Sequence, residues 1–257
     1  MALYVGLMSG TSMDSADVAV VDLTDDSFEL LSSHRHAIPD DLLPDLRSAL
    51  DPAASARFVF ELDRAIAKLF AEAALTALEK SRIPTTSVEA IGSHGQTVFH
   101  QPDGSKTCTA QLGDPSTIAY LTGITTVANF RQMDVAAGGQ GAPLSPAFHA
   151  WLFGNSERDQ LVVNIGGIAN LSILPGAGRG EVTGFDTGPG NTLMDLWIER
   201  HRGQAFDRDG RWASSGRTLP ALLSHLLEDP YFARAAPKNA AARSPSPEGE
   251  VGAPGPA

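Results

Sequence analysis

A carboxylate beside a flexible glycine loop is equipment for general-base chemistry in a site that closes over its substrate. This chain carries that pairing between Asn129 and His149, where Arg131 and Asp134 precede Gly138, Gly139, Gln140 and Gly141. A plainer arrangement is open at the same place, with Asp134 capping the next turn and Arg131 paired to it at the surface. A second constellation lies between Ala90 and Pro102. There His94 and Gln96, flanking Gly95, stand either as strand-end polar groups facing a ligand's hydroxyls or as a self-satisfied polar turn. His94 and His100 lack a metal spacing, so no zinc site is read.

Two glycine- and hydroxyl-rich turns are suited to phosphate, one in each half. Small residues admit backbone N–H groups close to an anion, and hydroxyls add donors. The first runs through Gly10, Thr11, Ser12, Met13, Asp14, Ser15, Ala16 and Asp17; the second holds Asn164, Gly166 and Gly167. Two such turns suggest two lobes gripping one polyphosphate. Asp14 or Asp17 would help to place Mg2+, or an aspartate there caps its own backbone. Asp186, Thr187, Gly188, Pro189, Gly190 and Asn191 lead from a strand into a helix. The first N–H groups of that helix could hold an anion, with Asn191 as N-cap and Asp195 in the first turn. No lysine follows the glycines, so these are not Walker A loops. A serine hydrolase is excluded: there is no G-x-S-x-G elbow, and nothing supports Ser12, Asp14 and His94 as a triad.

These residues need elements to position them. Apolar runs predict strands over 3–9, 16–23 and 28–38, an antiparallel meander. A short helix is expected over 41–50. A long one is expected over 56–83, where Phe58, Leu62, Ile66, Leu69, Phe70, Ala73, Leu75 and Leu78 keep near-helical spacing. Strands follow at 88–93, at 97–100 after a turn, and at 124–129; 144–153 reads as helix. The pattern then restarts, with strands at 161–165, 169–174 and 181–185 and helices at 191–202 and 218–227. That order predicts an α/β fold of ribonuclease-H-like lobes, the first (1–155) complete and the second (156–234) incomplete. From 235 to 257 the chain is dominated by Ala, Pro, Gly, Ser and Arg, which predicts disorder.

Composition narrows the class. At 257 residues, 42% hydrophobic and 19% charged, the chain reads as one large or two modest globular domains. A net charge of −11 argues against a nucleic-acid binder, while a local basic pocket stays open. The single cysteine, Cys108, excludes an intrachain disulfide and fits a reducing compartment. No signal peptide is read. No apolar run approaches the roughly 18 residues of a membrane span. The expectation is a cytoplasmic chain without membrane or nucleic-acid partners; a homodimer is left open.

The four blocks together, from about Leu3 to Lys238, closely resemble the anhydro-N-acetylmuramic acid kinase family of the sugar kinase, Hsp70 and actin superfamily. The resemblance implies a small-molecule substrate, 1,6-anhydro-N-acetylmuramic acid, opened by water and phosphorylated on its 6-oxygen with ATP and Mg2+. It implies that Asp134 activates the water, with Arg131 orienting the reacting groups. It implies ATP contacts over Gly10 to Asp17 and at Asn164, Gly166 and Gly167. The sugar side would comprise His94, Gly95, Gln96, Gly113 and Asp114, with Asp186 to Asn191 lining the cleft. Another sugar or polyol kinase of the superfamily is a further reading, against which the linked His94 and Asp134 blocks count. Ser15 stands where the family usually has glycine, a strain of about 1 kcal/mol if positive φ is needed there. Beyond Lys238 the resemblance stops, implying a truncation or frame change, uncovered apolar faces in the second lobe and impaired activity. The alternative is a non-catalytic, sugar-binding remnant.

Overall fold

The computed structural model describes residues 2–10, 13–25, 27–101, 107–236 and 238. Thr11, Ser12 and most of the 235–257 tail lie outside them, so those expectations have no structural counterpart.

The first half is a six-stranded sheet. Strands β1 (Leu3–Ser9), β2 (Ser15–Leu23) and β3 (Phe28–Ala37) form the expected antiparallel meander. Helices α1 (Leu43–Ser48) and α2 (Ala56–Lys80) follow. The chain then returns as β4 (Val88–Gln101), parallel to β1. Beyond β5 (Cys108–Leu112) and α3 (Pro115–Thr122) lies β6 (Thr126–Val127), parallel to the start of β4. The order β3-β2-β1-β4, with β6 beside β4, is the ribonuclease-H-like arrangement. Strand β5 is an addition, paired antiparallel to the far end of β4.

Helix α2 explains why this half has a core. Ser55 caps it, its hydroxyl accepting the Phe58 N–H at 3.3 Å. Its stripe of Leu62, Ile66, Phe70, Ala73, Ala74, Ala77 and Leu78 is at most 4% exposed and lies on Val5, Leu7, Val18 and Val20 of the sheet. The alanines let the helix axis approach the strands closely.

The structure corrects the expected layout in several places. Residues 94–96 are no turn between two strands; they lie inside the continuous β4. The expected strand 124–129 shrinks to Thr126–Val127, because Asn129 at φ 61° opens helix α4 (Phe130–Ala136). Helices α3 and α4 and strand β5 were not anticipated. Met13, not Ser15, takes the positive φ of the first hairpin, at 55°; Ser15 pairs with Ala37 as ordinary strand.

Helix α5 (Ser145–Phe153) leads into the second half and ties it to the first. The Trp151 indole N–H donates to the Asp25 carbonyl at 3.1 Å, and Phe148 meets Phe28 edge-on at 5.7 Å. On its other side, His149 Nδ1 lies 2.9 Å from the Ser172 hydroxyl. Strands β7 (Gln160–Ile165), β8 (Ile168–Leu174) and β9 (Thr183–Pro189) form a second antiparallel meander. Gly184 of β9 is glycine because a Cβ there would overlap Pro146 of α5. Helices α6 (Thr192–Arg202), α7 (Arg211–Ser214), α8 (Pro220–Leu227) and α9 (Pro230–Ala233) follow.

Candidate active site

The residues expected to do chemistry converge where β4, α4, the glycine loop and β9 meet. A β-bulge starts the arrangement. Strand β1 pairs Leu7 with Ser93 and Met8 with Gly95, so His94 is skipped. Gly95 has φ 80°, and a Cβ there would stand 2.6 Å from the Leu112 carbonyl oxygen of β5. Only glycine fits that turn of the backbone, and the bulge aims the His94 ring out of the ladder. There His94 Nε2 accepts the Arg131 Nε–H at 2.9 Å, and Nδ1 lies 2.9 Å from the Gly95 carbonyl. Burial first, then the Arg131 charge, lowers the His94 pKa against the Gly95 contact.

Arg131 sits in the first turn of α4 with Asp134 one turn on. It does not pair with Asp134 across the helix surface. Its Nη1 instead points at the Gly141 carbonyl at 3.4 Å, and the Asp186 carboxylate of β9 faces it electrostatically. Burial works against its charge. Asp134 Oδ2 accepts the Gly141 N–H at 2.7 Å, and the Asp134 carbonyl accepts the Gly139 N–H at 2.8 Å. A Cβ on Gly139 would overlap the Asp134 carboxylate, and one on Gly141, at φ 76°, would crowd Val135 and His100. The glycine loop is therefore glycine because it wraps a carboxylate. Asp134 does bond the turn that follows it, while Oδ1 keeps its acceptor capacity.

The other expected sugar contacts are placed differently. Gln96 is 1% exposed; its amide donates to the Thr97 carbonyl and its oxygen is enclosed. Asp114 caps α3, accepting the N–H groups of Ser116 and Thr117 and the Thr117 hydroxyl, which hold its pKa down. Gly113, at φ 122°, donates its N–H at 2.6 Å to Asp63 of α2. Burial raises the Asp63 pKa against that bond. Asp63 was not anticipated, although it lies on the buried α2 stripe one turn before Ala67 and two before Phe70. A carboxylate on such a stripe is the signal for a polar anchor.

Among the described residues, contacts are also set at both hairpins. Asp14 and Asp17 flank Arg35 of β3, each 3.4 Å away and more than half exposed. The Gly167 carbonyl accepts the N–H groups of Gly190 and Thr192, and the Gly166 carbonyl accepts that of Asn191. This narrows one expectation: the amides of Gly190, Asn191 and Thr192 are committed to the hairpin and are not available to an anion. The Asn191 side chain caps nothing. Thr187 donates to the Ala169 carbonyl, and Gly188, at φ 138°, packs against Phe232. The Asp186 backbone is pinned by the Tyr231 hydroxyl and the Lys238 carbonyl.

Among the described residues no group of three or more His, Cys, Asp or Glu is placed to hold a metal. Mg2+ bound chiefly through phosphates needs only one or two carboxylates. The exposed Asp14 and Asp17 fit that class, with Arg35 as the competing cation. No described helix is long and apolar enough to cross a membrane.

A family model described as anhydro-N-acetylmuramic acid kinase matches residues 2–243, five residues past the point where the resemblance was expected to end. The protein of that name from Shewanella halifaxensis is 51% identical over 237 residues, covering 92% of this chain and 64% of its own length. The one from Vibrio cholerae is 50% identical over 238 residues with the same coverage. The chain thus spans 64% of the length of these curated relatives. Among solved structures, an ROK hexokinase from Thermus thermophilus aligns at 17% identity and TM-score 0.33 over 70% of this chain and 48% of its own. So distant a likeness bears on nothing further.

Proposed function

The chain belongs to the anhydro-N-acetylmuramic acid kinase family, and on that premise we propose that it converts 1,6-anhydro-N-acetylmuramic acid, water and ATP to N-acetylmuramic acid 6-phosphate and ADP. This is a cytoplasmic step of peptidoglycan recycling. Residues 1–155 form the first lobe, with the sugar site and the base, and residues 156–234 form the N-terminal part of the second. The observation that carries the reading is the Asp134 carboxylate, cradled by Gly139 and Gly141 beside a fixed Arg131, with Asp186 opposite.

Asp134 Oδ2 is anchored by the Gly141 N–H, so Oδ1 is the base. It takes a proton from the water that attacks the anomeric carbon. The C1–O6 bond opens, and the guanidinium of Arg131 stabilises charge developing on O6. ATP supplies the γ-phosphoryl group that O6 accepts, with Mg2+ neutralising its charge. The backbone of the Gly10 and Gly166 hairpins would cradle the phosphates, and Asp14 and Asp17 would hold the ion.

A coupled ADP-release assay with and without the anhydro sugar tests the proposal. Sugar-dependent release is expected, falling about 100-fold or more in Asp134→Asn. Turnover that survives this change removes Asp134 from the base role. One observation favours a second reading, sugar binding without turnover. Leu161, Val163 and Ile165 in the second lobe are 60–64% exposed, whereas the half that carries His94, Arg131 and Asp134 has a closed core. Calorimetric binding of the sugar with no ADP release would select it.

A further inference from the structure

We infer that His94 is a positioning residue for Arg131, a neutral acceptor that fixes the guanidinium against the Asp134 loop, and not a contact to the sugar. The inference rests on the proposed function only for its consequence in turnover. The geometry carries the rest.

The protonation state follows from the two ring contacts. A carbonyl oxygen only accepts, so Nδ1, 2.9 Å from the Gly95 oxygen, carries the proton. A guanidinium N–H only donates, so Nε2, 2.9 Å from Arg131 Nε, offers a lone pair. Only the neutral Nδ1–H tautomer makes both bonds. Protonating Nε2 would set two N–H groups face to face and release Arg131. Burial and the Arg131 charge both favour the neutral ring. The remaining ionisable groups on the surface around His94 are Asp17, His34 and Arg35 of β2 and β3, and Asp17 is already held by Arg35. From β9, Asp186 faces the guanidinium.

The fixed ring has a downstream effect. Arg131 reaches the Gly141 carbonyl at 3.4 Å, and the N–H of the same Gly141 anchors the Asp134 carboxylate at 2.7 Å. The bulge at Gly95 is thus connected to the base through His94, Arg131 and Gly141. Both ring nitrogens are consumed by protein, which leaves His94 no polar atom for a sugar hydroxyl.

Long-range proton–nitrogen NMR on the 15N-labelled full chain, with His94 assigned from His94→Gln, reads the tautomer directly. A neutral Nδ1–H ring is expected near neutral pH, protonating below the ordinary histidine range. In Arg131→Ala the pKa is expected to rise and the tautomer preference to relax. An Nε2–H or protonated ring in the unsubstituted chain overturns the inference, as does a ring indifferent to Arg131→Ala. In the ADP-release assay, His94→Leu is expected to lower kcat about 100-fold with little change in the KM for the sugar. His94→Gln, whose amide oxygen can accept from Arg131, is expected to restore most of the rate. A rise in KM at unchanged kcat in both variants would make His94 a sugar contact and end the proposal. An unsubstituted chain without sugar-dependent ADP release refutes the proposed function, while the tautomer measurement still decides this one.

Discussion

Val5, Leu7, Val18 and Val20 in the first sheet are at most 2% exposed, whereas Leu161, Val163 and Ile165 of β7 are 60–64% exposed. Both meanders are built from similar apolar strands with short turns. What separates them is the surface laid against them. Helix α2 brings a stripe of Leu, Ile, Phe and Ala that matches the first sheet. In the second half α6 leaves Leu193, Met194, Leu196 and Trp197 51–58% exposed, and α8 leaves Leu222, Leu223, Leu226 and Leu227 49–53% exposed. Strand pattern alone makes a sheet, and a core needs a second apolar layer on it. Exposed apolar area on this scale is, in general, a mark of an interaction surface or an aggregation liability.

The sharpest way to break the contrast is to truncate one aromatic side chain in each half. Phe70, fully buried, is expected to cost about 3–5 kcal/mol on Phe70→Ala. Trp197, 57% exposed, is expected to shift stability far less, within about 1 kcal/mol. Urea unfolding followed by circular dichroism measures both. Equal losses would mean that the two halves share one cooperative core. Hydrogen exchange then sharpens the result: amides of β1 and β4 should exchange through global unfolding and those of β7 through cheaper local opening.

A second pair compares glycines with similar backbone angles. Gly95, at φ 80°, would drive a Cβ to 2.6 Å from the Leu112 oxygen, whereas Gly178, at φ 74°, has nothing within 4 Å of a Cβ. Gly178→Ala should therefore cost only the left-handed strain, about 1–2 kcal/mol. Gly95→Ala should cost more and, by flattening the bulge, displace His94 from Arg131. A lost His94 tautomer signal in a folded Gly95→Ala chain is the outcome that ties the bulge to the site.

These positions also show what was legible. The strand runs of β1 to β3 and the spacing of α2 are strong periodic signals, and they survive into the structure with ends moved by a few residues. Strand β5, CTAQL, does alternate apolar and polar residues over its five positions, a short signal that went unused, and its register is set only by β4. Helix α3 was announced by Asp114-Pro115, an N-cap followed by proline at the first turn, a local signal that went unused. His94-Gly95 read as a turn because glycine marks both turns and bulges, and only the partner strands decide between them. His94, Arg131, Asp134 and Asp186 were legible as chemically suggestive residues; that Arg131 would bond His94 and not Asp134 depended on the bulge. Asp63 was missed because an isolated carboxylate on a long helix ordinarily faces solvent.

Protonation gives a third, smaller effect, confined to the first half. The folded-state pKa of His94 lies below the ordinary 6.5, so between those values the unfolded chain binds more protons than the folded one. Stability is therefore full above 6.5 and falls as pH drops toward the folded pKa, by at most about 1.4 kcal/mol per pH unit. His94→Gln is expected to remove this slope from urea midpoints measured between pH 4 and 7. A slope unchanged in that variant would assign the acid sensitivity to other groups.

The smallest contrast concerns how a helix starts. Asp114 gives α3 a side-chain cap with two backbone N–H acceptances and one from the Thr117 hydroxyl. Asn191 occupies the same position on α6 and caps nothing, because its own backbone is helical (φ −76°, ψ −23°) where a capping residue is extended; the hairpin carbonyls of Gly166 and Gly167 hold the Gly190, Asn191 and Thr192 amides instead. A cap of the first kind is worth about 1 kcal/mol, so Asp114→Ala should lower stability by about that amount. Asn191→Ala should change it by a few tenths. The Asp114 contribution is present above its ordinary 3.8 and is lost as pH falls through its lowered folded value, because the cap needs the carboxylate. If Asn191→Ala costs as much as Asp114→Ala, the Asn191 side chain works in stability after all, and the start of α6 is not held by the hairpin alone.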